Sequence, residues 1–195
     1  MLRFGSRTAL VVVDVQNDFA DPAGSLYVSD GEGVVAPVNR LVGRAQAASS
    51  LVVYTQDWHP PQTPHFVTGG GVWPVHCVRD TWGAQLHPGL AVPDGAPIVR
   101  KGTGGEDGYS GFSMRDESGA VRGTGLDELL RAAGVRRVVV VGIAGDVCVA
   151  ATASDAVVRG YRTAVVRDAV RSVNRTPGDD ERAFAELVEL GVHVD

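Results

Sequence analysis

The sequence predicts an α/β protein: a three-layer α/β/α domain around an open, parallel, six-stranded sheet. Two observations carry this. Short runs of β-branched residues alternate with segments of helical period along the chain, and such alternation builds parallel sheets with helices on both faces. The valine runs are also apolar on both sides of the strand, as a covered parallel sheet requires. At 195 residues, one domain spanning 1–195 is the simplest arrangement, long enough to bury roughly 70% of its unfolded surface.

"TALVVVDV" (Thr8 to Val15) reads as the first strand. The helix after it sets Val38, Leu41, Val42 and Ala45 at the i, i+3, i+4, i+7 spacing of one buried face. "LVVYT" (Leu51 to Thr55) is the second strand and "PIVR" (Pro97 to Arg100) the third. "GLDELLRAAG" is a short helix closed by Gly134, leading into the fourth strand at Arg137 to Val141. A packing helix follows, with Val149, Ala153, Ala156 and Val157 on one side. "RTAVVRD" is the fifth strand. The last helix lies in "TPGDDERAFAELVELG", with Thr176 as N-cap candidate, Pro177 next and acids in the first turn. "VHV" adds a short sixth strand.

Bulk properties narrow the function. A hydrophobic content of 44% with 21% charged residues is that of a soluble globular protein. A net charge of −5 speaks against nucleic-acid and anionic-membrane partners. Two cysteines make no disulfide framework, so a reduced compartment, the cytoplasm, is expected. The first apolar run ends in Asp14, Gln16, Asn17 and Asp18 without a small-residue cleavage site, unlike a signal peptide. No apolar stretch is long enough for a bilayer.

Two segments break the alternation, Asp57 to Ala96 and the Gly-rich Lys101 to Gly125. Long irregular segments within a compact domain usually serve function. The first holds all three tryptophans (Trp58, Trp73, Trp82) and four of the five histidines (His59, His65, His76, His87), and is expected to line a site.

Open α/β sheets bind ligands beyond the carboxyl ends of their strands. Asp14 follows the first strand, Asp57 the second and Lys101 the third, and Cys148 comes shortly after the fourth. Each alone has an ordinary explanation: a turn carboxylate, a solvated lysine, a packed thiol. Together they converge on one edge. Cys148 falls in the first turn of its helix, where the macrodipole lowers a thiol pKa and backbone N–H groups can receive an oxyanion. Asp14 and Lys101 are the candidates to take the thiol proton and hold the charges. Asp57 and His59, two apart, point the same way on an extended chain. With His65 and His76 they make a candidate site for zinc, iron or manganese. Cys77 adjoins His76 and is directed away, into packing.

"DVQNDF" (Asp14 to Phe19), "DWH" (Asp57 to His59), "WPVHC" (Trp73 to Cys77), "KG" at Lys101 with "YSGF" at Tyr109, and "GIAGDVCVAATASDAV" occur in order over nearly the whole chain. Together they resemble the nicotinamidase/pyrazinamidase branch of the isochorismatase-like cysteine hydrolases. The resemblance implies the strand order 3-2-1-4-5-6, with strands one and four adjacent. It implies Asp14 as general base, Lys101 as third triad member and Cys148 as nucleophile. A non-proline cis bond at Ile143–Ala144 would aim the Ala144 N–H, with that of Cys148, at the oxyanion. Asp57, His59 and His76 match metal ligands, and His65 an additional ligand of some members. Phe19 and Trp73 match aromatic walls, and Tyr109 a residue closing the pocket.

The implied activity is deamidation of a small aromatic amide, nicotinamide and also pyrazinamide, through a Cys thioester, in NAD salvage. One divalent metal ion, zinc foremost, and a homo-oligomer are implied with it. Gly145 departs from the threonine of many relatives. Three rival readings are opposed by residues present. Asp57, His59 and His76 oppose a metal-free carbamoyl or ureido amidase. Cys148 opposes an isochorismatase, which lacks the nucleophile. The intact triad opposes a non-catalytic ligand-binding homologue.

Overall fold

The computed structural model describes residues 3–195. Its strands are β1 (Thr8–Val13), β2 (Leu51–Asp57), β3 (Ile98–Lys101), β4 (Ser113–Arg115), β5 (Val121–Gly123), β6 (Arg137–Ile143), β7 (Arg162–Arg171) and β8 (His193–Val194). Its α-helices are α1 (Asn17–Ala20), α2 (Val35–Ala47), α3 (Leu126–Ala132), α4 (Ala150–Val158) and α5 (Asp179–Glu189). Six strands form one sheet in the order β3-β2-β1-β6-β7-β8, every pair parallel. This is the expected 3-2-1-4-5-6 order once the separate hairpin β4–β5 is set aside. That hairpin lies inside the Gly-rich stretch and has no counterpart among the expected strands. Its strands are three residues long and β5 is wholly exposed, too short for a pattern of burial to show.

Burial on both faces follows from the valine runs. Ala9, Val11 and Val13 face one core with Val138 and Val140, where Leu126 and Leu130 of α3, Ala153 and Ala156 of α4, and Phe184 and Leu187 of α5 cover them. Leu10, Val12, Val139 and Val141 face the other, closed by Val38, Leu41, Val42 and Ala45 of α2. Those four are the stripe read from the spacing.

Strand ends differ from the expected ones where the site lies. β1 stops at Val13 because Asp14, at φ 47°, turns the chain out of the sheet. β2 and β6 run further, to Asp57 and Ile143. The last helix starts at Asp179 behind Gly178 in the left-handed conformation, so Thr176 is not its N-cap. Gly178 interrupts the helical path. Thr176 and Asp179 close a turn instead: the Thr176 N–H donates to Asp179 Oδ2 and the Asp179 N–H to the Thr176 carbonyl. Among the described residues no helix is long and apolar enough to cross a membrane.

Candidate active site

Asp57 and Lys101 end β2 and β3 as register partners, which brings a carboxylate and an ammonium together at the sheet edge. Lys101 is the only lysine in the chain and is completely buried. Its Nζ donates to Asp57 Oδ1 at 2.5 Å and to the Gly108 carbonyl, and lies 2.7 Å from Asp14 Oδ2. Cys148 Sγ sits 3.8 Å from the same nitrogen. Asp14, Asp57 and Cys148 hold their polar atoms within 4.8 Å of one another, gathered around the ammonium.

The two carboxylates are driven apart in acidity. Burial pushes Asp14 up to about 6, against the pull of Lys101. Burial acts on Asp57 too, but Lys101 and the imidazoles of His59 and His76 outweigh it and hold Asp57 well below the usual carboxylate range. For Lys101, burial opposes the charge and the two aspartates more than restore it. Asp57 therefore balances the lysine, and Asp14 is left as the group able to accept and return a proton near neutral pH. Thr55 holds Asp14 in place: its hydroxyl donates to Asp14 Oδ1 at 2.6 Å and accepts from the Asp14 N–H.

Cys148 lies in a wide helical turn, Gly145–Val149, that precedes α4. Its position at a helix start leads one to expect a lowered thiol pKa. The structure reverses this. Burial pushes the thiol well above its ordinary value, with Lys101 opposing and Asp14 adding to the rise. Cys148 therefore rests protonated beside a carboxylate suited to take the proton. The Ile143–Ala144 bond is cis, and Ala144 and Cys148 border the same pocket. The Asp146 carboxylate clamps the turn by accepting the N–H groups of Val173 (2.9 Å) and Asn174 (2.7 Å). Gly145 also finds its reason here. A Cβ at that position would sit 2.3 Å from Ser172 Oγ and 2.7 Å from Val170 Cγ1, so Ser172 fills the space that a threonine would need.

Next to Asp57, His59, His65 and His76 bring ring nitrogens within 4.8 Å of one another. Both ring nitrogens of His59 are buried without a hydrogen-bond partner. That is costly for polar atoms, unless they serve a ligand. His76 Nδ1 lies 2.7 Å from the Pro74 carbonyl. A carbonyl only accepts, so Nδ1 is the donor of this pair, which leaves Nε2 on the side of Asp57. Burial, with His59 adding, pushes His65 down to about 4, so it is neutral at pH 7. Asp57 Oδ2 is 3.7 Å from His59 Nε2 and 3.8 Å from His76 Nε2. Three imidazoles gathered beside an ionised carboxylate fit a divalent zinc, iron or manganese ion. Phe66, missed in the sequence, packs its ring 5.3 Å from those of His59 and His76.

A pocket of about 390 Å³ opens over these groups, lined by Phe19, Trp73, Tyr109 and Val147 together with Cys148 and Asp57. Trp73 Nε1 donates to the Tyr109 hydroxyl at 2.9 Å, joining two walls. The other aromatics of the long segment lie elsewhere. Trp58 stacks on the Arg100 guanidinium at 3.7 Å, Trp82 is half exposed, and the His87 ring accepts a local N–H from Gly89. Cys77 is buried in the core facing α2, in the packing role expected of it.

Several residues that shape the site escaped sequence reasoning. Gln16 donates to the Asp57 and Ala84 carbonyls and accepts the Asp57 N–H, all at 2.8 Å. Asp18 Oδ2 accepts the Cys77 N–H at 2.7 Å, steadying the loop of His76. Asp155 of α4 accepts the hydroxyls of Ser110 and Ser113, each at 2.7 Å, and Thr152 accepts the Gly111 N–H. The helix that follows Cys148 thus holds the loop bearing Tyr109 and the Gly108 carbonyl. Asp155→Ala is expected to raise KM about tenfold and change kcat little, because Tyr109 is misplaced while the reacting groups stay. Steady-state kinetics check this, and Asp155→Asn, which keeps an acceptor, should recover most of the loss.

Known proteins resemble this chain over nearly its whole length. The Isochorismatase domain model matches residues 8–194. The chain is 37% identical to the nicotinamidase of Escherichia coli (strain K12), over 94% of this chain and 92% of that protein. The pyrazinamidase of Pyrococcus horikoshii, solved in complex with zinc, superposes with a TM-score of 0.87 at 38% identity, covering 97% of this chain and 98% of that one. PnC1 of L. infantum, solved in complex with nicotinate, gives a TM-score of 0.90 at 37% identity over 100% and 95% of the two chains. The chain belongs to the isochorismatase family, within the branch of nicotinamidases and pyrazinamidases.

Proposed function

We propose that the protein is a metal-dependent cysteine amidohydrolase that converts nicotinamide to nicotinate and ammonia, and accepts pyrazinamide as well. The observation that carries this is the buried meeting of Asp14 and Lys101 with Cys148, which lines a small aromatic pocket. Asp14 takes the thiol proton as Cys148 Sγ attacks the carboxamide carbon, and Lys101 holds the charge balance of the pair. The tetrahedral oxyanion is received by the Ala144 and Cys148 N–H groups. Asp14 returns the proton to the departing nitrogen, ammonia leaves, and a thioester remains. Asp14 then deprotonates a water that attacks the thioester, nicotinate leaves, and the thiol is restored. Phe19, Trp73 and Tyr109 hold the ring by its faces and edge. Asp57, His59, His65 and His76 would hold the metal, which when bound supplies a Lewis acid for the pyridine nitrogen.

In this reading the enzyme works in NAD salvage in the cytoplasm, as a homo-oligomer, without nucleic-acid or membrane partners. The test is ammonia release from nicotinamide, pyrazinamide, and carbamoyl and ureido compounds. Turnover of the two ring amides over the others is expected, and turnover confined to carbamoyl or ureido compounds would overturn the substrate assignment. Removing the metal with a chelator is expected to lower activity at least tenfold, in line with roughly 10–100-fold effects of disturbing metal sites. Added zinc should restore it, and elemental analysis should find no bound metal in Asp57→Ala. Full activity in metal-free enzyme would remove the metal from the account.

A further inference from the structure

At the opposite end of the sheet, where β1, β6 and β7 begin, lies an open concavity of about 1050 Å³. Arg7, Arg136, Arg137 and Arg162 line it together with Gly5, Ser6, Thr8 and Gly160, and no acidic residue does. We propose that this concavity is a binding site for a polyphosphate anion, free or carried by a nucleotide.

Four observations support it. Arg137 and Arg162 are register partners on adjacent strands, with Thr8 next in the same row; like charges placed so repel unless something neutralises them. None of the four arginines has a carboxylate partner among the described residues, whereas Arg122, Arg131, Arg159, Arg167, Arg171 and Arg182 all do. The chain as a whole carries −5, so this is a local excess of positive charge on an acidic protein. The frame beneath is also fixed. The Arg7 carbonyl accepts the N–H groups of Arg136 and Arg137, and the Arg136 carbonyl accepts that of Arg162. Planar guanidinium groups pair two-pronged with phosphate oxygens, and four of them call for a ligand with several negative charges. The site lies six residues along β6 from the cis bond at Ile143, about 20 Å at the rise of a strand. A ligand there does not touch the amide substrate.

Isothermal titration tests this with sodium tripolyphosphate, ATP and adenosine, without added magnesium, on the wild type and on the triple variant Arg7→Gln, Arg136→Gln, Arg162→Gln. Chelation of the catalytic metal gives the same signal in both proteins, so the difference between them reports the concavity. Expected is saturable binding of tripolyphosphate and ATP that weakens at least tenfold in the variant and falls with added salt, while kcat for ammonia release stays as in wild type. Equal affinity for the two places recognition on the phosphates alone; tighter ATP binding adds a contribution from the nucleoside. Identical titrations of wild type and variant, or binding of adenosine as tight as that of ATP, would overturn the proposal.

Discussion

Replacing Cys148 with alanine is expected to lower kcat for ammonia release from nicotinamide by about 10⁴-fold or more, the scale at which catalytic nucleophiles act. KM should change little, because Phe19, Trp73 and Tyr109 still form the walls. The fold should stay within about 1 kcal/mol of wild type, since one sulfur is removed and no buried charge is left unpaired. The reason for so large a kinetic effect is position. Sγ is held 3.8 Å from the Lys101 ammonium and from the Gly108 carbonyl, within reach of the Asp14 carboxylate, which burial raises to about 6. Ammonia assay and thermal denaturation of the same preparation check both halves. A variant retaining even a hundredth of the wild-type rate would mean that the thiol is not the attacking group.

Lys101→Met is expected to damage fold and chemistry together. Without the ammonium, Asp14 and Asp57 face each other in a site where both are buried. Removing one member of a buried ionic group costs about 3–5 kcal/mol, and losing the charge that balances thiolate and carboxylate is expected to cost at least 10³-fold in rate, roughly the scale of a lost preorganised donor. The double variant Lys101→Met, Asp14→Asn separates the effects. Taking away the second charge should return a good part of the stability, read from denaturant midpoints, while activity stays lost. Equal instability of the single and double variants would mean that Lys101 packs rather than neutralises.

The sheet was legible because both of its faces are covered: Val11 to Val13 and Val138 to Val141 are apolar without interruption, and α2 shows its stripe at every expected position. The convergence of Asp14, Asp57, Lys101 and Cys148 was legible from strand ends alone. The strand order and the cis bond came from the resemblance, while the candidate metal cluster of Asp57, His59, His65 and His76 was read from the residues and matched by the resemblance. What escaped was polar residues whose partners are distant in sequence. Thr55, Gln16 and Asp155 bond to groups 41 to 45 residues away, and no local spacing betrays that. One signal was available and unused: a chain that otherwise relies on arginine for its cations has its single lysine at position 101. The thiol pKa was misjudged because a helix start says nothing of how deeply the sulfur is buried or which carboxylates surround it.

The central claim is that Cys148 carries the acyl group between ammonia release and hydrolysis. Rapid acid quench of the metal-loaded enzyme with nicotinamide, followed by peptide mass spectrometry, tests it most directly. Expected is a nicotinoyl adduct on the peptide bearing Cys148, formed as the first ammonia appears, decaying with nicotinate release and absent from the peptide bearing Cys77. Ammonia appearing across the whole time series with Cys148 unmodified, or an adduct on Cys77 instead, would contradict the thioester mechanism.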